Sequence, residues 1–197
     1  EQMRLTSTGL GIGTSSPAQK LHVSGNILGT GFVRAGSGSA SAPAFSFGSA
    51  TNTGIWNYDD GVGPNLKFTI SGTDYLTLDR SGNLGLGVTP SSWSQGKAFE
   101  VGALGEGLWG NSLGDIWMVN GAYFNGGWKY SGNTKATSYR QGGGVSDGSH
   151  YWNIAGTGTT GSALTFTTAM TLDASGNLGI GVTPSTIQTP TLNVGSN

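Results

Sequence analysis

The chain contains no cysteine, which excludes disulfides and thiolate metal sites. Charge is scarce too. Lys and Arg total 9, Asp and Glu total 10, and the formal net charge is −1. Such a balance offers no basic patch for nucleic acid. No apolar run approaches the roughly 18 residues of a membrane span, so no membrane insertion is expected. No stretch reads as a signal peptide, and no amphipathic helical pattern exceeds two turns. A G-x-y period is missing, which excludes collagen despite the glycine content. Glu1 opens the chain inside a repeat, and Asn197 follows soon after the last one. Both ends read as cuts through a longer polypeptide or as processing sites.

What the chain does have is glycine, 37 of 197 residues, far above the usual ~7%. It also carries six Trp, six Tyr and seven Phe. Disorder normally needs high charge and few aromatics. The reading is an ordered, all-β chain built of short hairpins and small modules.

One phrase occurs three times, and internal repetition sets the architecture before any local choice. The middle copy runs from Leu76 through Gly82, Asn83, Leu84, Gly85, Leu86 and Gly87 to Pro90. The last runs from Met170 through Gly176, Asn177, Leu178, Gly179, Ile180 and Gly181 to Pro184. The first, Met3 to Thr14, is degenerate and one residue shorter before its glycines. Each copy leads to an alternating tail: Leu21-His22-Val23, Phe99-Glu100-Val101 and Leu192-Asn193-Val194. Leu76 and Leu78 alternate with polar residues, as a half-buried strand requires. Ser81-Gly82-Asn83 supplies turn chemistry. The return of Leu84, Leu86 and Val88 at period two predicts a second strand, ended by Pro90. Gly85 and Gly87 on its other face predict a closely approaching backbone.

Between the repeats lie two intervals of different content. Five segments are expected: 1–31, hairpin and tail; 32–75, a small β-module; 76–101, the second hairpin; 102–169, an aromatic-rich β-module; 170–197, the third hairpin. Asn120-Gly121 is the strongest two-residue hairpin signal, and Leu164 to Thr167 leads into the last hairpin. Leu84 lies 74 residues after Leu10, and Leu178 lies 94 after Leu84, so a solenoid of fixed rung is excluded. A lone hairpin is marginal in water, and short strands leave edges open to another chain. Symmetric self-association would cover both.

The phrase from Met170 to Pro184 resembles a repeat of bacteriophage tail-fibre and tailspike-like proteins. So does Leu5 to Pro17 followed by Lys20 to Val23. The stretch Ala42 to Phe47 with Asn52 to Trp56 is similar to a second module of such fibres, and Gly121 to Tyr130 with Leu164 to Thr167 to a third. The resemblance implies an elongated, intertwined homotrimer on the virion exterior, joined to other fibre or tail proteins and mediating host attachment. In many such fibres this region precedes a cleaved intramolecular chaperone, which this sequence does not contain. A polysaccharide-degrading tailspike with an inter-chain active site, or a self-assembling extracellular filament or adhesin, are the alternatives.

Catalytic constellations are not apparent. Glycoside hydrolysis needs a carboxylate pair about 5–9.5 Å apart in a groove. Asp59-Asp60 would face opposite ways on a strand, and Gly61 marks them as turn residues. Glu100, Glu106 and Asp115 lack partner spacing. Asp79 and Asp173 repeat with the hairpin, which points to turn capping. His22 and His150 are isolated, so no metal or cofactor is expected. The candidate ligand-binding residues are aromatic: Trp109, Trp117, Trp128, Tyr130, Tyr139, Tyr151 and Trp152. Flat rings beside polar groups suit a host-surface glycan, and the same rings equally suit the core of a small module.

Overall fold

A computed structural model describes residues 2–59, 61, 63–142, 147–184 and 192–194. It is all-β, with no helix among the described residues. The chain divides into two compact units, 1–35 and 36–197.

The first unit is a three-stranded sheet of β1 (Met3–Leu5), β2 (Leu10–Ile12) and β3 (Leu21–Val23). β2 pairs antiparallel with β1 and parallel with β3. The other two repeats have the same plan. The tails predicted from alternation are therefore third strands of the repeat, brought back parallel to its second.

The second unit holds the remaining strands. They are β4 (Gly38–Ser39), β5 (Ala42–Pro43), β6 (Phe45–Phe47), β7 (Ala50–Asp59), β8 (Pro64–Ile70), β9 (Thr73–Leu78), β10 (Leu84–Leu86) and β11 (Lys97–Val101). There follow β12 (Glu106–Gly110), β13 (Ile116–Asn120), β14 (Ala122–Phe124), β15 (Trp128–Tyr130), β16 (Ala136–Gln141) and β17 (His150–Ala155). The last are β18 (Thr167–Leu172), β19 (Leu178–Ile180) and β20 (Leu192–Val194). Thirteen of them form one mixed sheet in nearly sequential order, β6 to β13 and then β16 to β20. The segment boundaries at 75/76 and 169/170 fall inside β9 and β18, so the second and third hairpins are continuous with their neighbours. β14 and β15 leave the sheet as a separate hairpin.

The repeat is built by three devices. Asp79 caps its turn: its carboxylate accepts the Asn83 backbone N–H (2.8 Å) and side-chain amide (2.9 Å). Asp173 does the same for Asn177, at 2.8 and 2.9 Å. Gly82 and Asn83 divide the work of the turn. Gly82 is the left-handed residue, with φ of 81°, while Asn83 is buried and its Oδ1 accepts the Ala98 N–H at 3.0 Å. Asn83 thus ties the turn to β11. The shorter first copy lacks this Asn, and Thr6 caps Gly9 instead.

The glycines of the second strand have two different reasons. A Cβ on Gly85 would lie 2.2 Å from the Val88 carbonyl oxygen and 2.9 Å from Pro90 Cδ. The approaching backbone is the chain's own return, and Gly11 and Gly179 meet the Thr14 and Val182 carbonyls in the same way. Gly87 instead has open space and φ of 74°. This left-handed residue, not Pro90, ends the strand, so the strand stops at Leu86 and Val88 lies outside it.

One further expectation is corrected. Asn120-Gly121 is no hairpin turn, because β13 and β14 do not pair; Gly121 turns the chain out of the large sheet. Leu164 to Thr167 leads into the last hairpin: Ala163 bridges Lys129, the Leu164 N–H donates to the Trp128 carbonyl at 2.9 Å, and β18 begins at Thr167.

The two faces of the sheet are unlike. One buries polar and aromatic residues within the chain. Asn65, Thr69, Thr77, Glu100, Ser138, Asn153 and Thr171 are all buried there, beside Trp56, Ala98 and Trp109. The other face carries an unbroken apolar row set by register. It runs Leu66–Leu78–Leu84–Phe99–Leu108–Met118–Tyr139–Trp152–Met170–Ile180, each residue directly opposite the next. A second row, Phe45–Ile55–Phe68–Leu76–Leu86–Val101, runs beside it over the first strands. Most of these side chains are exposed, Met118 at 57% and Leu108 at 44%, while Leu76, Leu84, Tyr139 and Met170 are half-buried. Met3, Leu5, Ile12 and Leu21 of the first unit are exposed too.

Candidate functional site

The crossover between β10 and β11 lays Trp93 over the inner face of the sheet. Glu100, buried on β11, accepts the Ser91 N–H (2.8 Å), the Ser91 hydroxyl (2.9 Å) and Trp93 Nε1 (2.9 Å). One carboxylate thereby anchors the whole crossover. Ser94 N–H then donates to the Phe124 carbonyl at 2.7 Å, and the hairpin of β14 and β15 closes beside it. Trp93, Trp109, Phe124 and Trp128 pack between these layers. Trp109 stacks on Phe124 with centroids 4.9 Å apart and meets Trp128 edge-on at 5.4 Å.

The seven aromatic residues expected to bind ligand separate into three places. Trp109 and Tyr130 are core, 3% and 8% exposed. The Tyr130 hydroxyl is spent on the Gly156 carbonyl at 2.9 Å. Tyr139 and Trp152 belong to the outer apolar row, with ring centroids 5.2 Å apart. The Tyr139 hydroxyl also bonds His150 Nδ1. Only Trp117, Trp128 and Tyr151 come together, half-buried, around a cleft of about 290 Å³. Phe166, Arg140, Asn153 and Thr168 complete its wall.

Side-chain alternation explains the sorting. Trp117, Arg140, Tyr151 and Thr171 stand opposite one another on β13, β16, β17 and β18, on the inner face. Their chain neighbours Met118, Tyr139, Trp152 and Met170 point the other way. Trp117 and Trp128 are 4.9 Å apart, and Trp128 meets Phe166 edge-on at 5.2 Å. The Arg140 guanidinium lies 5.5 Å from the Trp117 ring and 4.8 Å from Tyr151. Its Nε is 3.5 Å from Oδ2 of buried Asp115. Trp117 Nε1 is shut from solvent without a hydrogen-bond partner among the described residues.

The chain matches no protein-family model and no curated protein sequence.

A second cavity of about 520 Å³ adjoins the cleft and shares Tyr151 and Thr168 with it. Asp147 and Asp173 both line it. A hydrogen bond from the Tyr151 hydroxyl, helped by the Ser149 backbone and by Arg140, outweighs burial and lowers the Asp147 pKa. Asp173 is lowered chiefly by the Asn177 side-chain amide and backbone N–H. Burial and the Asp147 carboxylate push the Tyr151 phenol up. Both carboxylates are therefore ionised at neutral pH, whereas glycoside hydrolysis needs one acid kept protonated by a raised pKa.

Elsewhere the acidic residues are structural. Asp59 Oδ1 accepts the Gly61 N–H at 3.0 Å, as a turn residue would, and Asp60 lies outside the described residues. Asp115 accepts the Asn111 amide at 3.0 Å. No group of three or more His, Asp or Glu is placed to hold a metal among the described residues. Trp93, Arg140 and Phe166 are not singled out by the sequence, and Glu100 reads there as an acid without partner spacing. Trp93 sits in a Ser-rich crossover outside the 102–169 interval, and its aromatic character amid polar neighbours was the available signal.

Proposed function

We propose that this chain is a non-enzymatic structural segment of a homotrimeric viral tail fibre that serves attachment to a host surface. One observation carries the reading. An apolar row ten residues long crosses the large sheet on a face that no other described residue of that unit covers. Monomeric proteins rarely leave contiguous apolar patches beyond a few hundred Å² in water. The rows carry no charged side chain, so their complement is another apolar surface of similar length. A second copy of the same sheet supplies one, and symmetric association uses the same patch on every copy. The exposed apolar residues of the first unit fit the same scheme. That there are three copies, and that they form a tail fibre, rests on the resemblance of the repeats.

Two ionised carboxylates beside the cleft favour binding over cleavage. Light scattering on the purified chain tests the assembly. A mass three times the 20.0 kDa of one chain is expected. A 20.0 kDa species at all concentrations would overturn the reading.

A further inference from the structure

We infer that the continuous groove formed by the two cavities sharing Tyr151 and Thr168 holds an uncharged oligosaccharide, with one sugar ring seated in the Trp117–Trp128–Phe166 cleft. This deepens the attachment reading and rests on it. The aromatic end supplies what a pyranose ring needs, flat apolar surface against its C–H face with a few polar groups to fix orientation. Those rings are half-buried and held by the core, so little ordering is required on binding.

The polar groups are of the right kind. Arg140 and Thr168 line the cleft beside the rings and offer a guanidinium and a hydroxyl to sugar hydroxyls. Arg140 is clamped between Trp117 and Tyr151, with its Nε turned to Asp115. Its planar N–H groups are therefore fixed in direction. At the other end the groove is lined by hydroxyl and carboxylate side chains, among them Ser149, Asp147 and Asp173.

Charge decides the class of sugar. Asp115 and Asp147 offset Arg140, and Asp147 and Asp173 both stay ionised. A uronic or sialic acid entering this groove would meet like charge, which carboxylates at close range disfavour. Neutral hydroxyls instead accept from Arg140 and donate to the carboxylates. The groove also lies on the face opposite the apolar row, so assembly through that row leaves it open.

The test is a binding screen of the intact chain against immobilised neutral hexose and N-acetylhexosamine oligosaccharides, with uronic-acid and sialylated ones alongside. Binding of at least one neutral oligosaccharide is expected. Thr168→Trp, at an exposed groove position, fills the groove and gives up the hydrogen bond to Asn153 Oδ1 at 2.9 Å; it should abolish that binding while native mass and a cooperative thermal transition are kept. Arg140→Lys keeps the charge but loses the fork, and should weaken binding about tenfold or more. No neutral oligosaccharide bound, only acidic ones bound, or binding unaffected by both substitutions would each overturn the inference. Native mass is read on the same sample, so failure of the groove and failure of the assembly are told apart.

Discussion

At the residue scale, the repeat depends on a buried amide and two glycines whose roles differ. Asn83→Ala removes the acceptor for the buried Ala98 N–H and the donor to Asp79. It should cost about 1–3 kcal/mol in urea unfolding, because a buried donor is left unpaired. Gly85→Ala places a methyl 2.2 Å from a backbone oxygen and should cost about 1–3 kcal/mol through overpacking. Gly87→Ala meets no atom and should cost only the left-handed penalty, roughly 1–2 kcal/mol. Gly87→Asn, which tolerates the left-handed region, should recover much of the loss seen with alanine at 87, whereas Gly85→Asn should not; recovery at both positions or at neither would refute the division of roles. Asp74 gives a pH test. Burial raises its pKa, but hydrogen bonds from Thr69, Lys67 and Trp56 prevail and hold it below its ordinary 3.8. A depressed folded pKa gives stability that is whole above about pH 4 and lost as pH falls through the lower folded value. Stability should therefore decline in that acid window, and Asp74→Asn should flatten the decline.

At the element scale, the repeat is a hairpin whose chain returns by a crossover to a parallel third strand. Glu100 and Trp93 hold that crossover. Trp93→Ala should cost about 3–5 kcal/mol, as aromatic truncation in a core does, seen as a lower thermal midpoint. The hairpin strands were legible because Leu76, Leu78, Leu84 and Leu86 alternate at period two. The parallel return was not, since pairing between Leu84 and Phe99 is non-local and leaves no periodic mark. Nor could a sequence say that Asn120-Gly121 exits the sheet, because the partner of β13 is β16, beyond an intervening hairpin. The aromatic cluster was visible in composition, but its sorting follows strand parity. Trp117 and Met118 are neighbours in sequence and lie on opposite faces, a distinction that requires knowing which face the chain itself covers.

At the scale of the whole molecule, the polarity of the large sheet is inverted relative to a monomer that buries its apolar side. Amides, hydroxyls and a carboxylate are buried on one face, and the leucine-rich face is left mostly exposed among the described residues. A charge on that face should leave the single chain folded and prevent assembly. Met118→Lys is expected to reduce native mass to that of one chain while keeping a β-rich circular dichroism spectrum. Buried charges without partners are strongly unfavourable, whereas an exposed lysine is not. The most direct measurement is thiol accessibility at the centre of the row. The chain has no cysteine, so Met118→Cys provides a single reporter, with Ser112→Cys, in an exposed turn, as reference. Burial between copies predicts slow maleimide labelling at position 118 in the native protein, fast labelling at 112, and equal rates after denaturation. Equally fast native labelling at both positions would contradict it, and the apolar face would then stand open to water.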